Sequence, residues 1–282
     1  MAVHADVAIQ TAIPDPSSAE AVFCAICADC TGNLDRYLAE FMETGSPEGP
    51  HKARVALRRL TTALDAFKPL MRKADAKALR TRAKAIFRRL GTVRDADVYD
   101  QTKGDGRVSS ETEALREVVR TALRQRKALE FGPLIRRKLS DGTLLRFGAS
   151  GLRLRRSPAA VLARTATDEA FVTVGSHGKM LIGMDDQTRH EFRKDLKSLR
   201  YLTDFFVAPD AEPKHFTDLE ALQDLLGTLN DLANARQREK TARSHARKTQ
   251  RRGKAELAAL KQADVLWARL RKAAPWWQAI SA

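Results

Sequence analysis

The stretch HKARVALRRL, His51 to Leu60, places a histidine and three arginines along one side of a helix and apolar residues along the other. At about 100° per residue with His51 at zero, Arg54, Arg58, Thr62 and Asp65 fall within about 60° of it, and Arg59 lies near 80°. Ala53, Ala56, Leu57, Leu60, Leu64 and Phe67 take the opposite side. That apolar stripe is an ordinary core face. The polar face is not ordinary. A solvated face mixes signs, because opposite charges at i,i+4 attract and like charges repel by about 0.2–0.5 kcal/mol per pair. Here cations stack at that spacing, which costs stability unless an anion relieves the repulsion.

The pattern returns in RHEFRKDLKSLRYL, Arg189 to Leu202. His190, Arg193, Lys194, Lys197 and Tyr201 cluster on one side with Arg200 on the flank, while Phe192, Leu196, Leu199 and Phe206 lie behind them. The match extends well beyond the helix. Ala19–Arg54 lies without gaps over Pro158–Arg193, 139 residues further on, which sets Val22 on Val161, His51 on His190 and Arg54 on Arg193. Leu57 then falls on Leu196, Leu60 on Leu199 and Phe67 on Phe206. LGTVRD (Leu90 to Asp95) meets LGTLND (Leu226 to Asp231) at an offset of 136, so the second copy is a few residues shorter in a loop. A period this long is no solenoid. It predicts an internally duplicated domain.

The composition agrees with helices. Only 6% of the 282 residues are aromatic, and Ala, Leu, Arg, Lys and Glu dominate. These are helix formers, and no sustained alternation suggests a strand. Fifty Lys and Arg against 35 Asp and Glu give a net charge of +15. Such an excess points to an anionic partner: nucleic acid, polyphosphate or an acidic membrane surface. No apolar run approaches the roughly 18 residues of a membrane span. MAVHADVAIQTAIPDP at the start lacks the basic and long apolar regions of a secretory signal and reads as a disordered leader, 1–16. Cys24, Cys27 and Cys30, an odd number without an export signal, read as reduced thiols of a cytoplasmic protein.

Each copy reads as a four-helix unit. In the first, a helix from about Ser17 to Thr44 precedes the loop GSPEGP, a second runs from Pro50 to about Met71, and a third covers about Asp75 to Leu90. Pro50 would sit at the first helical position, where its missing N–H costs nothing. GTVRDADV then opens a further helical stretch, KGDG breaks it, and a long helix follows from Ser110 to about Leu139, with Ser110 and Glu113 at capping-box spacing. The second copy begins at Ser157–Pro158 after DGTLLRFGASG. The resulting layout is all-α: a leader to 16, repeat one at about 17–139, repeat two at about 157–272, and a tail over 273–282.

HKARVALRRL, RRLGTVRDADV, RHEFRKDLKSLRYL and LQDLLGTLND together resemble the signature stretches of the CHAD family, the conserved-histidine α-helical domain. The resemblance covers about Ser17 to Lys272. It implies two four-helix bundles related by a pseudo-twofold axis, and a basic central groove or pore that binds inorganic polyphosphate. The positions matching the motifs are His51, Arg54, Arg58, Arg59, Arg94, His190, Arg193, Lys194, Lys197, Arg200 and Tyr201. Thr61 and Thr62 depart from the family, whose members often carry Arg there. The two halves are therefore not expected to bind alike. The E-x-E-x-K strand of a triphosphate-tunnel domain, a frequent fusion partner in the family, is not found; ETEAL at Glu111 falls in a helix.

Other motifs carry less. Asp95, Asp97 and Asp100 in RDADVYD are close enough to suggest Mg²⁺, but the second copy keeps only Asp231, with Ala233 in place of Asp97. Asp95 and Asp231 are read instead as helix caps or as partners of the His-helix arginines, and no metal or cofactor is expected. The cysteine spacing C-x₂-C-x₂-C lacks a nearby fourth member and reads as small core residues. His4, His177, His215 and His245 are given no role. The basic run ARSHARKTQRRGK, Ala242 to Lys254, is either an accessory polyanion contact or a solvated segment. The leading expectation is a cytoplasmic, non-enzymatic polyphosphate-binding module, associated with polyphosphate granules and working beside a separate polyphosphate-metabolising enzyme. A helical nucleic-acid binder is the alternative, although no recognition-helix or zinc-finger motif supports it. A metal-dependent phosphohydrolase is a third, without a carboxylate cluster or Walker loop. His51 and His190 either meet the anion or orient neighbouring arginines from buried positions.

Overall fold

Ser18 starts the first helix by accepting a hydrogen bond from the Ala21 N–H (3.3 Å), and Gly45, in the left-handed region at φ 70°, ends it with its N–H on the Phe41 carbonyl. In the computed structural model this is α1 (Ala19–Thr44), followed by α2 (Glu48–Ala66), α3 (Lys73–Thr102), α4 (Ser110–Gln125) and α5 (Phe131–Ser140). After them come α6 (Gly148–Arg155), α7 (Ala159–Ser176), α8 (Asp186–Phe206), α9 (Lys214–Ala242) and α10 (Lys254–Ala273). The residues described are 17–102, 108–206, 214–242, 253–273, 275 and 277, and they contain no strand. The leader 1–16, the breaker KGDG and nearly all of the basic run and tail fall outside the described residues.

Two apolar cores hold these helices. One is built mainly from α1 to α5, with Leu162 and Leu202 reaching in from α7 and α8. The other is built from the end of α7 and from α8, α9 and α10 around the fully buried Trp267. Leu57, Leu60 and Leu64 of α2, Phe67 just beyond its end, and Leu196 and Leu199 of α8 are no more than 1% exposed, as the two helical wheels require. Each such side chain is worth about 1.5–3 kcal/mol of apolar transfer.

Aligned parts of the two copies meet one another. The Ala19 N–H donates to the Ser157 carbonyl (2.8 Å) and the Ala159 N–H to the Ser17 carbonyl (2.9 Å), tying the starts of α1 and α7 together. α2 packs on α8, and Phe67 faces its aligned counterpart Phe206 with ring centroids 6.0 Å apart. The packing sets the two cationic helices side by side.

Several boundaries differ from expectation, each for a local reason. α2 starts at Glu48, so Pro50 is the third helical residue, still inside the turn whose N–H groups lack helical partners. α2 ends at Ala66, and a short 3₁₀ turn over Lys68–Leu70 replaces its last turn. α3 runs unbroken through Leu90–Gly91, because one glycine costs a helix only about 1 kcal/mol and the fully buried Leu90 and Val93 carry the apolar period across it. The long helix expected from Ser110 to Leu139 is split into α4 and α5 at Lys127, which adopts a left-handed φ of 51°. Ser109, one residue earlier than expected, caps α4 by accepting from the Thr112 N–H (3.2 Å).

Three further residues settle into structural positions. Cys27 and Cys30 are buried, free core thiols, with burial pushing Cys30 up to about 11. His177 joins α7 to α8 through Asp195 (2.7 Å).

Candidate functional site

Where α2, α3, α8 and α9 converge, a cleft of about 1170 Å³ opens. Nine of the eleven residues singled out from the sequence line it: His51, Arg54, Arg58, Arg94, His190, Arg193, Lys194, Lys197 and Tyr201. Six of these are Arg or Lys, against two lining carboxylates, Asp95 and Asp231.

The arginines are held from behind. Arg54 donates from Nη1 to the Phe87 carbonyl (3.1 Å) and lies 4.0 Å over the Phe87 ring, with Arg58 over the same ring at 5.2 Å. Gly91 gives Arg54 its room: a Cβ there would run into Nη1. Gly227, aligned with Gly91, lies against Arg193 in the same way, though a Cβ would stand 3.8 Å from Nη2. The close approach therefore requires the glycine at Gly91, whereas a methyl at Gly227 would only reach ordinary contact distance. Asp95 faces Arg54 and Asp231 faces Arg193, so each carboxylate offsets one arginine, as one of the two sequence readings held. Neither caps a helix, since both lie inside α3 and α9. The Arg193 Nε is buried with no hydrogen-bond partner.

Crowding of like charge shows in the ionisation. Lys197 is pushed down from 10.5 to about 8, first by desolvation and then by Arg193, Arg58, Arg200 and Arg54. Burial likewise pushes the guanidinium groups of Arg54, Arg58 and Arg193 below their ordinary value, and they remain charged. His51 is held below 6.5 by desolvation, then by Arg94 and Lys197. Burial raises the Tyr201 phenol above its usual 10.

The two halves differ at the histidines. Both rings are exposed rather than buried, which removes the reading of them as interior struts. The His190 Nδ1 donates to the Asn230 Oδ1 (3.0 Å), leaving Nε2 for a ligand. Asn230 is the aligned counterpart of Arg94, so His51 faces a cation where His190 faces an amide. Lys194 spends part of its charge on Glu191 (2.6 Å).

Arg59 and Arg200 lie outside the cleft lining. Arg59 reaches Asp204 (3.5 Å) and Asp29 (4.0 Å) and sits over Phe205 (5.0 Å) and Tyr201 (5.7 Å). Arg200 meets Glu220 (3.1 Å), Gln223 (3.3 Å) and Asp204 (3.8 Å). Together they tie α8 to α2 and α9. The other two carboxylates of RDADVYD also face away from a shared site. Asp97 is buried against Arg116 (2.7 Å), and Asp100 accepts from the Ser109 N–H (2.8 Å) and hydroxyl (2.9 Å). Among the described residues no group of three or more His, Cys, Asp and Glu is placed to hold a metal ion. No described helix is long and apolar enough to cross a membrane.

An all-helical scaffold that presents two aligned His–Arg faces to one open cleft defines the class of this protein by its architecture. Comparison with known families gives the class its name. The CHAD domain model matches residues 25–240, and the chain belongs to the CHAD family. The CHAD domain from the plant Ricinus communis has a similar crystal structure, with a TM-score of 0.64 at 21% identity over 95% of this chain and 92% of that one. PptA from Streptomyces chartreusis is also similar, with a TM-score of 0.51 at 16% identity over 92% of this chain and 97% of that one. At these identities both speak for the fold. No curated protein matches the chain.

Proposed function

We propose that this protein is a non-enzymatic binding module for inorganic polyphosphate, which it holds in the cleft between α2, α3, α8 and α9. The observation that carries the reading is the uncompensated charge: six Arg and Lys side chains gather against two carboxylates, and burial together with the repulsion among them holds Lys197 near 8. A polymer with a negative charge on every unit relieves that repulsion at many points at once. Arginine forks donate paired hydrogen bonds to phosphate oxygens, and Lys197 follows them as a point charge. His51 and His190 add donors when protonated. The proposal also places the protein in the cytoplasm at polyphosphate granules, beside a separate enzyme that makes or degrades the polymer.

Charge reversal tests the site. Arg58→Glu and Lys197→Glu should each weaken polyphosphate binding by about tenfold or more, with helicity retained, since both side chains face the cleft. Unaltered affinity in both variants would remove this cleft from the function. Incubation with Mg²⁺ or Mn²⁺ separates binder from enzyme. Bound polymer should keep its length over hours, and EDTA should not release it. Steady release of orthophosphate that disappears in Asp95→Asn would overturn the binding-module reading.

A further inference from the structure

A second groove, of about 1000 Å³, runs along α3 and meets the cleft at Arg58, Phe87 and Lys194, which line both. Lys73, Lys77, Arg80, Lys84 and Arg88 follow one another at three- or four-residue spacing, so they form a single stripe along this helix. All five are exposed. At 1.5 Å per residue the stripe is about 22 Å long. Lys68 adds a cation from the other wall, and the one carboxylate in the lining, Asp65, pairs with Arg80. Like charges stacked at i,i+4 cost helix stability, and most of this stripe lacks carboxylate partners.

The second copy has nothing comparable. Carried back along α9 at the offset that aligns LGTVRD with LGTLND, Lys84 and Arg88 fall on Glu220 and Asp224, both exposed. The cleft therefore continues into a cationic track on the α3 side, and α9 carries carboxylates at the positions aligned with Lys84 and Arg88.

We infer that the α3 stripe is a one-sided extension of the polyphosphate site, over which a long chain leaves the central cleft past Arg58 and Lys194. This rests on the polyphosphate reading and adds to it a direction and a dependence on chain length. A short chain fills the cleft and never reaches Lys84 or Lys77. A long chain gains the stripe as further attachment along one continuous strand, where each added contact raises the effective concentration of the next.

The test compares tripolyphosphate with long-chain polyphosphate on the full chain. The variant Lys77→Gln/Lys84→Gln/Arg88→Gln keeps good helix formers on an exposed face. It should lose about tenfold in affinity for the long chain and less than about twofold for tripolyphosphate, and its log K against log salt slope should fall by about 2, at about 0.7 per contact on a single-stranded polyanion. A charge-matched control, Arg153→Gln/Arg156→Gln/Lys261→Gln, alters exposed cations elsewhere and should leave the long-chain affinity within about twofold. Equal losses in stripe variant and control would show a diffuse field and overturn the track. So would a stripe variant that weakens tripolyphosphate as much as the long chain, or one that weakens neither. If the unaltered protein binds neither polymer, the polyphosphate reading itself fails, and that outcome is distinct from the other three.

Discussion

Raising the pH from 7 to about 9.5 should weaken polyphosphate binding by about thirtyfold, and Lys197 is the reason. In the free protein its ammonium loses its proton around 8, because burial and four arginines oppose the charge. A phosphate oxygen beside it reverses that balance and restores a value near the ordinary 10.5. Between about 8 and 10.5 the bound protein then keeps a proton that the free protein has released, so affinity falls as pH rises. Over the stated range the linkage amounts to about 2 kcal/mol, at about 1.36 kcal/mol per pKa unit. Terminal phosphates, with a second pKa of about 6, are already ionised throughout, so the polymer contributes no competing titration. The assay is a fluorescence or calorimetric titration at constant ionic strength, run in parallel on Lys197→Arg. Arginine stays charged, so its affinity should be nearly flat over the same range. A flat response in the unaltered protein, or an equal slope in Lys197→Arg, would refute the reasoning. The same depressed pKa makes the ammonium a cost to the fold. The missing stability would be regained only as pH rises from about 8 towards 10.5, so at pH 7 the whole cost is present. Lys197 is partly solvated, which reduces the ideal figure to about 1 kcal/mol, and Lys197→Met should raise the Tm at pH 7 by about 2 °C.

Gly91→Ala should displace the Arg54 guanidinium and weaken binding severalfold, while Gly227→Ala, whose methyl would stand at ordinary contact distance, should bind normally; melting and titration of both variants check the contrast. Both gain up to about 1 kcal/mol of helix propensity, so a stability loss in either would count against the packing described. Asp97→Asn leaves the buried Arg116 with only the exposed Glu113 (2.9 Å) as a charged partner and should cost about 2 kcal/mol by denaturant unfolding. Asp95→Asn removes an exposed carboxylate facing Arg54, and should leave the Tm unchanged while tightening polyphosphate binding severalfold. Desolvation, then Arg94 and Lys197, hold His51 below its ordinary value in the free cleft, and a bound anion raises it, so binding should strengthen as pH falls below 6.5, and His51→Gln should lose most of that gain.

The cationic faces were legible because a helix obeys one angular rule: Arg54 and Arg193 fall where the wheel puts them, with Leu57 and Leu196 behind. Arg59 and Arg200 lie on the flanks of the same wheels, yet Arg59 turns to Asp29 and Asp204 and Arg200 to Glu220, partners far along the chain that local spacing cannot supply. Gly91 read as a break because a glycine in a helix weakens it; its use appears only when α2 brings Arg54 against it. Lys127 gave no turn signal, since lysine rarely takes a left-handed φ. The α3 stripe was readable at i,i+4 all along. It lies outside the duplicated pattern, because Glu220 and Asp224 stand where a second stripe would be.

Under the proposed function this cleft selects an inorganic phosphate chain over other polyanions. The measurement that tests this selection directly is a titration with long-chain polyphosphate at physiological salt, in competition with double-stranded DNA and with RNA at equal phosphate concentration. The account predicts that polyphosphate binds and stays bound against both competitors, and that Arg58→Glu abolishes this preference. Displacement by either nucleic acid at equal phosphate would contradict it, and would assign the +15 charge to nucleic-acid binding instead.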